Sequence, residues 1–406
     1  MQTRTIAIAT TTQFIVMLGF TVILPIGPDI AVDLGLPVAG LGLLASSYSL
    51  AGFATGLGSA GLLDRYDRRT PLTICLTLIG LATIGASYAN SLPMLMLMRA
   101  IAGGCGGICS ALLTAIIADT IAPERHGRAF ALVLGTGPLV SIIGLPMAIQ
   151  LAAIANWRLP LLLLGTAALA LMVIARFALP PMAAHLNDPL RPAGFRLKGA
   201  LLRPAFRVAM ASIFTMTIAF GLLAANNASL LLLNLHLPRG WLAIFYMGCG
   251  GVTFALLRVV GRIMDRRGPH TLILPAACTF SGGVLLSYVL PFGLATGATA
   301  MCVVIMSIST LSVSMTTLAL QAPDSVERAG FGALLGALQY SASAIGAAVS
   351  SGILTDLPGP RLGNTQTVGL LSIGAAALVP LWAGMLRRHL VAAPQEPPCP
   401  QPQPAE

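Results

Sequence analysis

Long apolar segments separated by short polar stretches cover almost the whole chain. Each is about 20 residues long, roughly the length that an α-helix needs to cross the hydrocarbon core of a bilayer. Barrel strands would instead alternate over about ten residues. The pattern therefore predicts an all-α membrane protein with twelve transmembrane helices, α1–α12, near 6–27, 39–62, 71–90, 94–118, 128–152, 159–179, 208–233, 241–263, 271–290, 296–319, 331–354 and 367–386.

Two segments lack an apolar run. Residues 181–207 are rich in proline and basic side chains, and they predict a cytoplasmic linker between an N-terminal six-helix bundle, 1–180, and a C-terminal one, 208–388. Residues 389–406 are rich in proline and glutamine, so we expect a disordered cytoplasmic tail there.

Composition excludes a water-soluble protein, because 56% of the residues are hydrophobic, 9% are charged and the mean hydropathy is +0.87. The net charge of +10 does not indicate nucleic-acid binding. If the N-terminus is cytoplasmic, 18 basic residues lie on the cytoplasmic side, and only Arg158, Arg239 and Arg361 lie on the other. This asymmetry predicts a multi-pass protein of a bacterial-type inner membrane with both termini in the cytoplasm.

Enzyme chemistry finds little support in the sequence. The seven cysteines have no metal-site spacing, and clustered His, Asp or Cys within the apolar runs are missing. The G-x-G-x-x-G pattern at 56–61 follows no strand, so we assign it to helix packing. No P-loop is present, and we expect neither an enzyme nor a metal or cofactor.

A charged turn occurs twice. Asp64, within AGLLDRYDRRTPL at 60–72, is followed 201 positions later by Asp265, within GRIMDRRGPH at 261–270. The Glu-Arg pair that starts at Glu124 recurs 203 positions later at Glu327. Two similar offsets predict an internal duplication, with two pseudosymmetric bundles and a polar pathway between them.

These motifs resemble those of the major facilitator superfamily over essentially the whole chain apart from the tail. The family pattern between helices 2 and 3 is G-x-x-x-D-R-x-G-R-[RK]. The first copy matches its charged positions with Asp64, Arg65, Arg68 and Arg69, but has Ala60 and Asp67 in place of glycines. The second copy keeps Gly261, Asp265, Arg266 and Gly268, but has Pro269 and His270 in place of basic residues.

Two further stretches carry the resemblance. Arg99 and Gly103 are similar to the family's R-x-x-x-G feature in helix 4. The run 144–158 is similar to helix 5 of the sugar- and drug-efflux branches, which include drug:proton antiporters. The antiporter signature is partial, because Gly137-Pro138 is present while Ser141 and Ile142 replace a glycine pair.

The resemblance implies that the charged turns close the cytoplasmic side of the protein. Asp64 would approach the positive N-terminus of α11, and Arg68 would reach Asp119 at the end of α4. The first turn should contribute more than the second. The candidate gating residues are Asp64, Arg65, Arg68, Arg69, Asp119, Asp265 and Arg266.

Charges inside predicted helices are costly and therefore informative. Arg99 lies in the outer part of α4, and its role is either packing between helices or substrate binding or coupling. Arg258, about one turn from the cytoplasmic end of α8, either snorkels or contacts substrate. No Asp or Glu lies mid-helix, so the usual proton carrier is missing or is displaced to Asp29 at the outer end of α1. This argues against organic cations as substrates.

Uncharged polar residues supply the other candidate contacts, because the resemblance implies that α1, α4, α7 and α10 line the cavity. The alternative for the hydroxyls is bonding to their own helix backbone. The candidates are Gln13, Asn226, Asn227, Ser307, Thr310 and Ser314, with Gln339 and Tyr340 on α11.

Together these features predict a monomeric secondary transporter in the lipid bilayer. It would export a small organic molecule, such as a drug, sugar or siderophore, in exchange for protons and by alternating access. An importer or facilitator of the same fold is the alternative. A membrane assembly or sensor protein without transport is the alternative from another class.

Overall fold

The computed structural model describes residues 2–63, 66–120, 132–133, 136–180, 182, 202–290, 293–323, 327–358 and 361–392. Eleven helices in these ranges are long and apolar enough to cross a membrane, and a bent pair at the N-terminus brings the number to twelve. The prediction of an all-α membrane protein is confirmed. The helices are α1 (Gln2–Thr21 and Ile23–Leu34), α2 (Leu41–Leu63), α3 (Arg69–Ser87), α4 (Leu92–Thr120), α5 (Thr136–Leu139, Val140–Gly144 and Leu145–Ile154), α6 (Arg158–Ala178), α7 (Pro204–Ala224, Asn227–Ser229 and Leu230–Asn234), α8 (Arg239–Arg267), α9 (His270–Val284 and Leu285–Val289), α10 (Leu294–Ala319), α11 (Arg328–Ile353) and α12 (Thr365–Ala392).

A short antiparallel hairpin joins α11 to α12. Its strands are β1 (Thr355–Leu357) and β2 (Arg361–Gly363). We call the side of the molecule that carries the hairpin the hairpin face. The opposite side, which carries the charged turns at Tyr66–Arg69 and Gly268–His270, is the turn face.

Several helices are longer than the apolar runs predict. α7 begins at Pro204, since proline at a first helical position costs no hydrogen bond. α12 continues to Ala392, four residues beyond the predicted end of the C-terminal bundle. α8 continues to Arg267, so Arg258 lies more than two turns from the end rather than one. That prediction is wrong because the last turns of α8 are polar and escaped the hydropathy pattern.

The first helix of each half is broken at the same place in the repeat. α1 bends by 41° after Thr21, where Pro25 has no N–H to donate to the Thr21 carbonyl. α7 breaks after Ala224 and continues as a short helix and a π-helical turn. Ala225, at that break, follows Thr21 by 204 positions, close to the offset between the charged turns. The duplication therefore extends to the backbone geometry.

Glycines bring α2 and α4 into direct backbone contact. A Cβ on Gly103 would overlap the carbonyl of Tyr48, and one on Gly107 would overlap the carbonyl of Gly52. Helices in lipid associate mainly by such close packing, because lipid tails are as apolar as the side chains. α2 and α4 therefore form a closely packed pair within the N-terminal half.

The two halves meet along α2–α11 and along α5–α8. Near the hairpin face, α2 and α11 are in tight contact. A Cβ on Gly42 would overlap the carbonyl of Ala347, and the Ser46 hydroxyl donates a hydrogen bond of 2.9 Å to the Ala344 carbonyl. Near the hairpin face, these contacts leave no space between α2 and α11.

The same pair of helices separates toward the turn face. At mid-length, a Cβ on Gly52 would lie 3.4 Å from the ring of Tyr340. One turn further along α11, no heavy atom of a described residue lies within 4 Å of a Cβ built on Gly336, and the same holds for Gly58 of α2. Among the described residues, α2 and α11 are therefore in close contact near the hairpin face and lie farther apart toward the turn face.

The α2–α4 contact can be tested by Gly107→Ala. The added methyl group forces the helices apart, and overpacking of this kind costs about 1–3 kcal/mol. We expect a lower thermal unfolding midpoint for the purified protein in detergent. Gly374→Ala in α12 is the control, because a Cβ there meets no described atom within 4 Å. Equal midpoints for the two variants would contradict the packing.

Candidate functional site

Arg99 of α4 is the charged side chain on which the central site is built. It is 4% exposed and lies at the bend of α1. Its Nη1 donates to the Gly19 carbonyl and its Nη2 donates to the Phe20 carbonyl over 3.2 Å. Both acceptors belong to the last turn of the first α1 segment, whose negative dipole end favours a cation. The bend in α1 thus supplies the acceptors for a charge buried in the membrane region.

An aromatic cluster surrounds this guanidinium. Its Cζ lies 4.5 Å from the ring centroid of Tyr48, a cation–π contact. Phe20 packs on Tyr48 with centroids 5.7 Å apart, and edge-on against Tyr340 of α11 at 6.1 Å. Since α1, α2 and α4 belong to one half and α11 to the other, the cluster spans both halves.

No carboxylate neutralises Arg99 within the described part of the chain. The described acidic side chains lie near the two faces and include Asp29, Asp33, Asp67 and Asp265. The Nε of Arg99 also has no hydrogen-bond partner among the described residues. The site therefore has a positive charge beside an aromatic surface, and one N–H donor of that charge has no described hydrogen-bond partner.

Gln13 lies on the same helix as the bend and is 2% exposed, and its Oε1 has no described hydrogen-bond partner. The neighbouring hydroxyl of Thr12 bonds its own helix at Ile8. A buried amide oxygen without a donor is costly. Gln13 is thus the α1 candidate that keeps an open acceptor.

The hydroxyls of α10 form contacts within their own half. Ser307 donates to Thr279 of α9 over 2.8 Å, and Thr310 donates to the backbone of its own helix. Ser314 contacts the sulfur of Met264 in α8. These contacts correspond to the packing alternative for Ser and Thr in membrane helices.

The asparagine pair lies at the α7 break and is buried. Asn226 donates to the Ser350 hydroxyl over 3.0 Å, while its Oδ1 has no described partner. Asn227 accepts a hydrogen bond of 2.6 Å from the Tyr288 hydroxyl. Both side chains thus bind the C-terminal half itself, and Asn226 alone of the two keeps an open acceptor.

An ion pair links the two halves at the hairpin face. Arg239, at the start of α8, donates through both Nη atoms to the carboxylate of Asp29 in α1. Beside it, the backbone N–H of Ala39 donates to Asp356 of the hairpin over 3.1 Å. The structure therefore places Asp29 at the contact between halves and away from Arg99.

Asp33, four residues after Asp29, binds within the N-terminal half instead. It accepts hydrogen bonds from the Trp157 indole at 3.0 Å and from Arg158 at 2.7 Å. Arg158 also donates to the carbonyl of Ala89 after α3. This cluster fastens α1, α3 and α6 to one another.

At the turn face, Asp67 has a role that the sequence pattern did not reveal. Its Oδ1 accepts the backbone N–H of Met182, beyond α6, over 2.6 Å, and Arg69 donates to the Leu179 carbonyl over 3.1 Å. The backbone N–H of Arg68 donates to Met182, and Arg68 is buried. The first charged turn is therefore clamped to the end of α6 in its own half.

The second turn uses glycine where the first uses Asp67. Gly268 has φ +82°, which L-residues rarely adopt, whereas Asp67 is not in the left-handed region. Asp265 and Arg266 are exposed in the last turn of α8. The missing glycine of the first copy thus produces a different turn, held by a carboxylate.

Three predicted gating residues cannot be compared with the structure. Asp64 and Arg65 lie outside the described residues, and so does the side chain of Asp119. Two substrate candidates lie at intermediate or exposed positions. Gln339 is half-buried in α11, and Arg258 is exposed with its guanidinium 4.6 Å from the Phe254 ring.

Two cavities in the described chain lie away from Arg99. One of about 220 Å³ lies beside the hairpin, between Tyr288, Arg361 and Thr365. The other, of about 180 Å³, is an apolar groove between α5 and α8, lined by Met147 and Met247. Neither contains a sequence-predicted contact residue.

The sequence identified candidate residues but not the side chains that contact them. Phe20 and Tyr48 are ordinary aromatics within apolar runs, and no spacing rule connects them to Arg99. Asp29 and Asp33 carried a usable signal, because a separation of four residues places both on one helix face. Their arginine partners lie far away in the sequence and could not be assigned.

The family comparison matches most of the chain. A family model described as the Major Facilitator Superfamily covers residues 9–351. Similar curated proteins include a chloramphenicol resistance protein of Streptomyces lividans, 27% identical over 60% of this chain and 62% of that protein. A chloramphenicol efflux pump of Mycobacterium tuberculosis is 27% identical over 43% of each chain. The 4-hydroxybenzoate transporter PcaK of Pseudomonas aeruginosa is 28% identical over 61% of this chain and 63% of PcaK. The chain spans less than two thirds of the length of these relatives.

Solved structures agree in fold. A D-xylose–proton symporter superposes with a TM-score of 0.73 at 14% identity, over 93% of this chain and 96% of the symporter. A bacterial homolog of the lysosomal transporter Spinster, inward-facing and unoccupied, superposes with a TM-score of 0.72 at 15% identity, over 95% and 97%. At such identities the likeness concerns the fold alone.

Arg99→Lys tests the geometry of the central site. An ammonium keeps the charge but loses the planar fork that reaches two carbonyls and stacks on Tyr48. We expect the free energy of unfolding to fall by about 2 kcal/mol, the range of a hydrogen bond to a charged group. Thermal unfolding in detergent measures it. Arg258→Lys is the matched control at an exposed site, and an equal loss there would contradict a special role for Arg99.

Proposed function

Because the chain belongs to the major facilitator superfamily, we propose that it exports a small organic molecule by alternating access, driven by the proton gradient. The chain is a membrane transporter and not an enzyme. The observation that supports the proposal is the position of the Arg99 cluster. It lies between the two halves, beside the α2–α11 contact that, among the described residues, is tight toward the hairpin face and wider toward the turn face.

Topology supports entry from the cytoplasm. The basic residues concentrate at the turn face, and the positive-inside rule makes that face cytoplasmic in an inner membrane. The conformation is then inward-facing. A cytoplasmic molecule reaches the Arg99 cluster between the diverging ends of α2 and α11, and leaves after the hairpin face opens.

The chemistry around Arg99 favours uncharged or anionic aromatic molecules. A guanidinium with a free donor attracts a carboxylate or a polar oxygen, and the rings of Phe20 and Tyr340 stack with a planar ligand. The absence of a carboxylate near Arg99 in the described chain disfavours organic cations. Chloramphenicol and 4-hydroxybenzoate, named for the relatives, are both small aromatic molecules.

Asp29 serves as a gate residue in this proposal. Its ion pair with Arg239 joins the two halves at the hairpin face. The pair must break when that face opens to release the substrate.

A facilitator or importer of the same fold is the second candidate. The observation that favours it is that the described helices hold no Asp or Glu at mid-membrane. Without such a group, a substrate can move down its own gradient with no coupled ion. The two candidate functions differ in whether a proton gradient makes the substrate accumulate.

Inverted membrane vesicles separate the candidates. We expect radiolabelled chloramphenicol or 4-hydroxybenzoate to accumulate in vesicles that contain the protein when a proton gradient is imposed. An uncoupler should abolish accumulation. Equilibration without accumulation would indicate a facilitator. No uptake of either compound above that of vesicles lacking the protein would contradict export of this substrate class and favour a non-transporting role.

A matched pair of variants connects transport to the cluster. Tyr340→Ala removes the ring that α11 contributes, and we expect it to lower the initial uptake rate at least tenfold. Tyr88→Ala removes a ring that is 63% exposed at the end of α3, and uptake should stay unchanged. Equal uptake rates for the two variants, at equal protein amounts, would contradict binding of the transported molecule at the Arg99 cluster.

A further inference from the structure

The internal repeat places two arginines at equivalent positions near the hairpin face. Arg361, in the hairpin, follows Arg158 by 203 positions, and His236, after α7, follows Asp33 by the same 203 positions. In the first half, Arg158 donates to the Asp33 carboxylate over 2.7 Å. In the second half, Nη2 of Arg361 lies 3.5 Å from Nε2 of His236. The side-chain pair is thus duplicated, but an imidazole replaces the carboxylate.

This replacement leaves Arg361 without a counterion in the described chain. The ion pairs of the described residues do not include it. The carboxylate of the hairpin, Asp356, accepts the backbone N–H of Ala39 instead. An imidazole is neutral or positive, so His236 cannot neutralise a guanidinium. The arginine therefore keeps donors and a charge that suit an external carboxylate.

A cavity of about 220 Å³ lies directly beside Arg361. Its walls include the π-helical turns of α7 and α9, the hairpin and the start of α12. Leu230 and Leu235 supply buried apolar surface, while Ser287 and Thr365 add hydroxyl groups. Pockets for drug-sized molecules have volumes of about 300–1,000 Å³. The cavity therefore suits a smaller molecule with one anionic group and an apolar part.

Hydrogen bonds hold the walls of the cavity in place. The side chain of Asn234 donates to the carbonyl of Leu362 and accepts its N–H, each over 2.9 Å. The Thr365 hydroxyl donates to the Tyr288 carbonyl over 3.3 Å, and the Tyr288 hydroxyl donates to Asn227 over 2.6 Å. A cavity whose walls are already ordered lowers the entropic cost of binding.

We propose that this cavity binds a small organic monocarboxylate. Its carboxylate accepts hydrogen bonds from Arg361, and so takes the place that Asp33 has beside Arg158. Its apolar part lies against the two leucines of the cavity wall. The site belongs to the C-terminal half and is separate from the Arg99 cluster, so it does not depend on the transport proposed above.

Radiolabelled benzoate is the probe, measured by equilibrium dialysis with the purified full-length protein in detergent. We expect saturable binding that Arg361→Gln weakens about tenfold or more, because a hydrogen-bonded charge is lost. Arg267→Gln is the control, since it removes an exposed cation of α8 outside the cavity and should leave the affinity unchanged. Equal affinity in Arg361→Gln, the result expected if benzoate binds only at Arg99, would overturn the site.

Competition tests the class of ligand. Unlabelled hexanoate should displace benzoate, because it combines a carboxylate with an apolar part. Inorganic phosphate at the same concentration should not, because it has no apolar part to place against the leucines. Displacement by phosphate as effective as that by hexanoate would overturn the assignment to an organic carboxylate.

His236→Asp supplies the missing carboxylate from within the chain. His236 has φ +56°, a left-handed conformation that Asp and Asn adopt more readily than most residues. The aspartate should pair with Arg361 and compete with the ligand, so we expect an affinity for benzoate about tenfold or more below that of His236→Asn. Elution as a single species in gel filtration controls for folding. Equal affinities in these two variants would contradict the proposal.

Discussion

The contact between the two halves at the hairpin face is the interaction on which the rest of the structure depends. It combines the Asp29–Arg239 ion pair, the hydrogen bond from Ala39 to Asp356, and the close approach of Gly42 to α11. Partly exposed ion pairs contribute at most about 1 kcal/mol. Such a contact closes one face and still opens at small cost, which suits a protein with two conformations of similar free energy.

The membrane imposes the second constraint, since buried polar groups there must find partners within the protein. Among the described residues, Arg99 meets it without a carboxylate, by using carbonyls at the α1 bend and the face of Tyr48. The break in α7 recurs at the equivalent place, where Tyr288 donates to Asn227 and to the Leu223 carbonyl. Each half thus stabilises a broken helix with a buried side chain, and the two halves use different chemistry to do so.

The fold was predictable from the sequence because bilayer thickness dictates helix length, and hydropathy reports helix length directly. Helix ends were less predictable. The last turn of α8 is polar, and α1 continues beyond its bend as far as Leu34. Hydropathy reports neither a helix that extends beyond the apolar core nor a bend.

The site was predictable only in part. Arg99 stood out because a charge in an apolar run is rare, and Asn226 because it interrupts one. Their partners are aromatic, hydroxyl or backbone groups that look ordinary in the sequence. Asp67 illustrates the limit best. The family pattern marks it as a missing glycine, whereas its carboxylate binds the backbone beyond α6, a contact between residues 115 positions apart.

The central claim is that Asp29 and Arg239 hold the two halves together at the hairpin face. Double electron–electron resonance between spin labels at Ile154 and Leu357, exposed positions on opposite halves, tests it in a background without native cysteines. Asp29→Asn should increase the population of long distances about fivefold, the effect of about 1 kcal/mol. Asp33→Asn, which removes a carboxylate bound within one half, should leave the distribution unchanged. The claim is contradicted if Asp29→Asn has no effect or if both variants shift the distances equally.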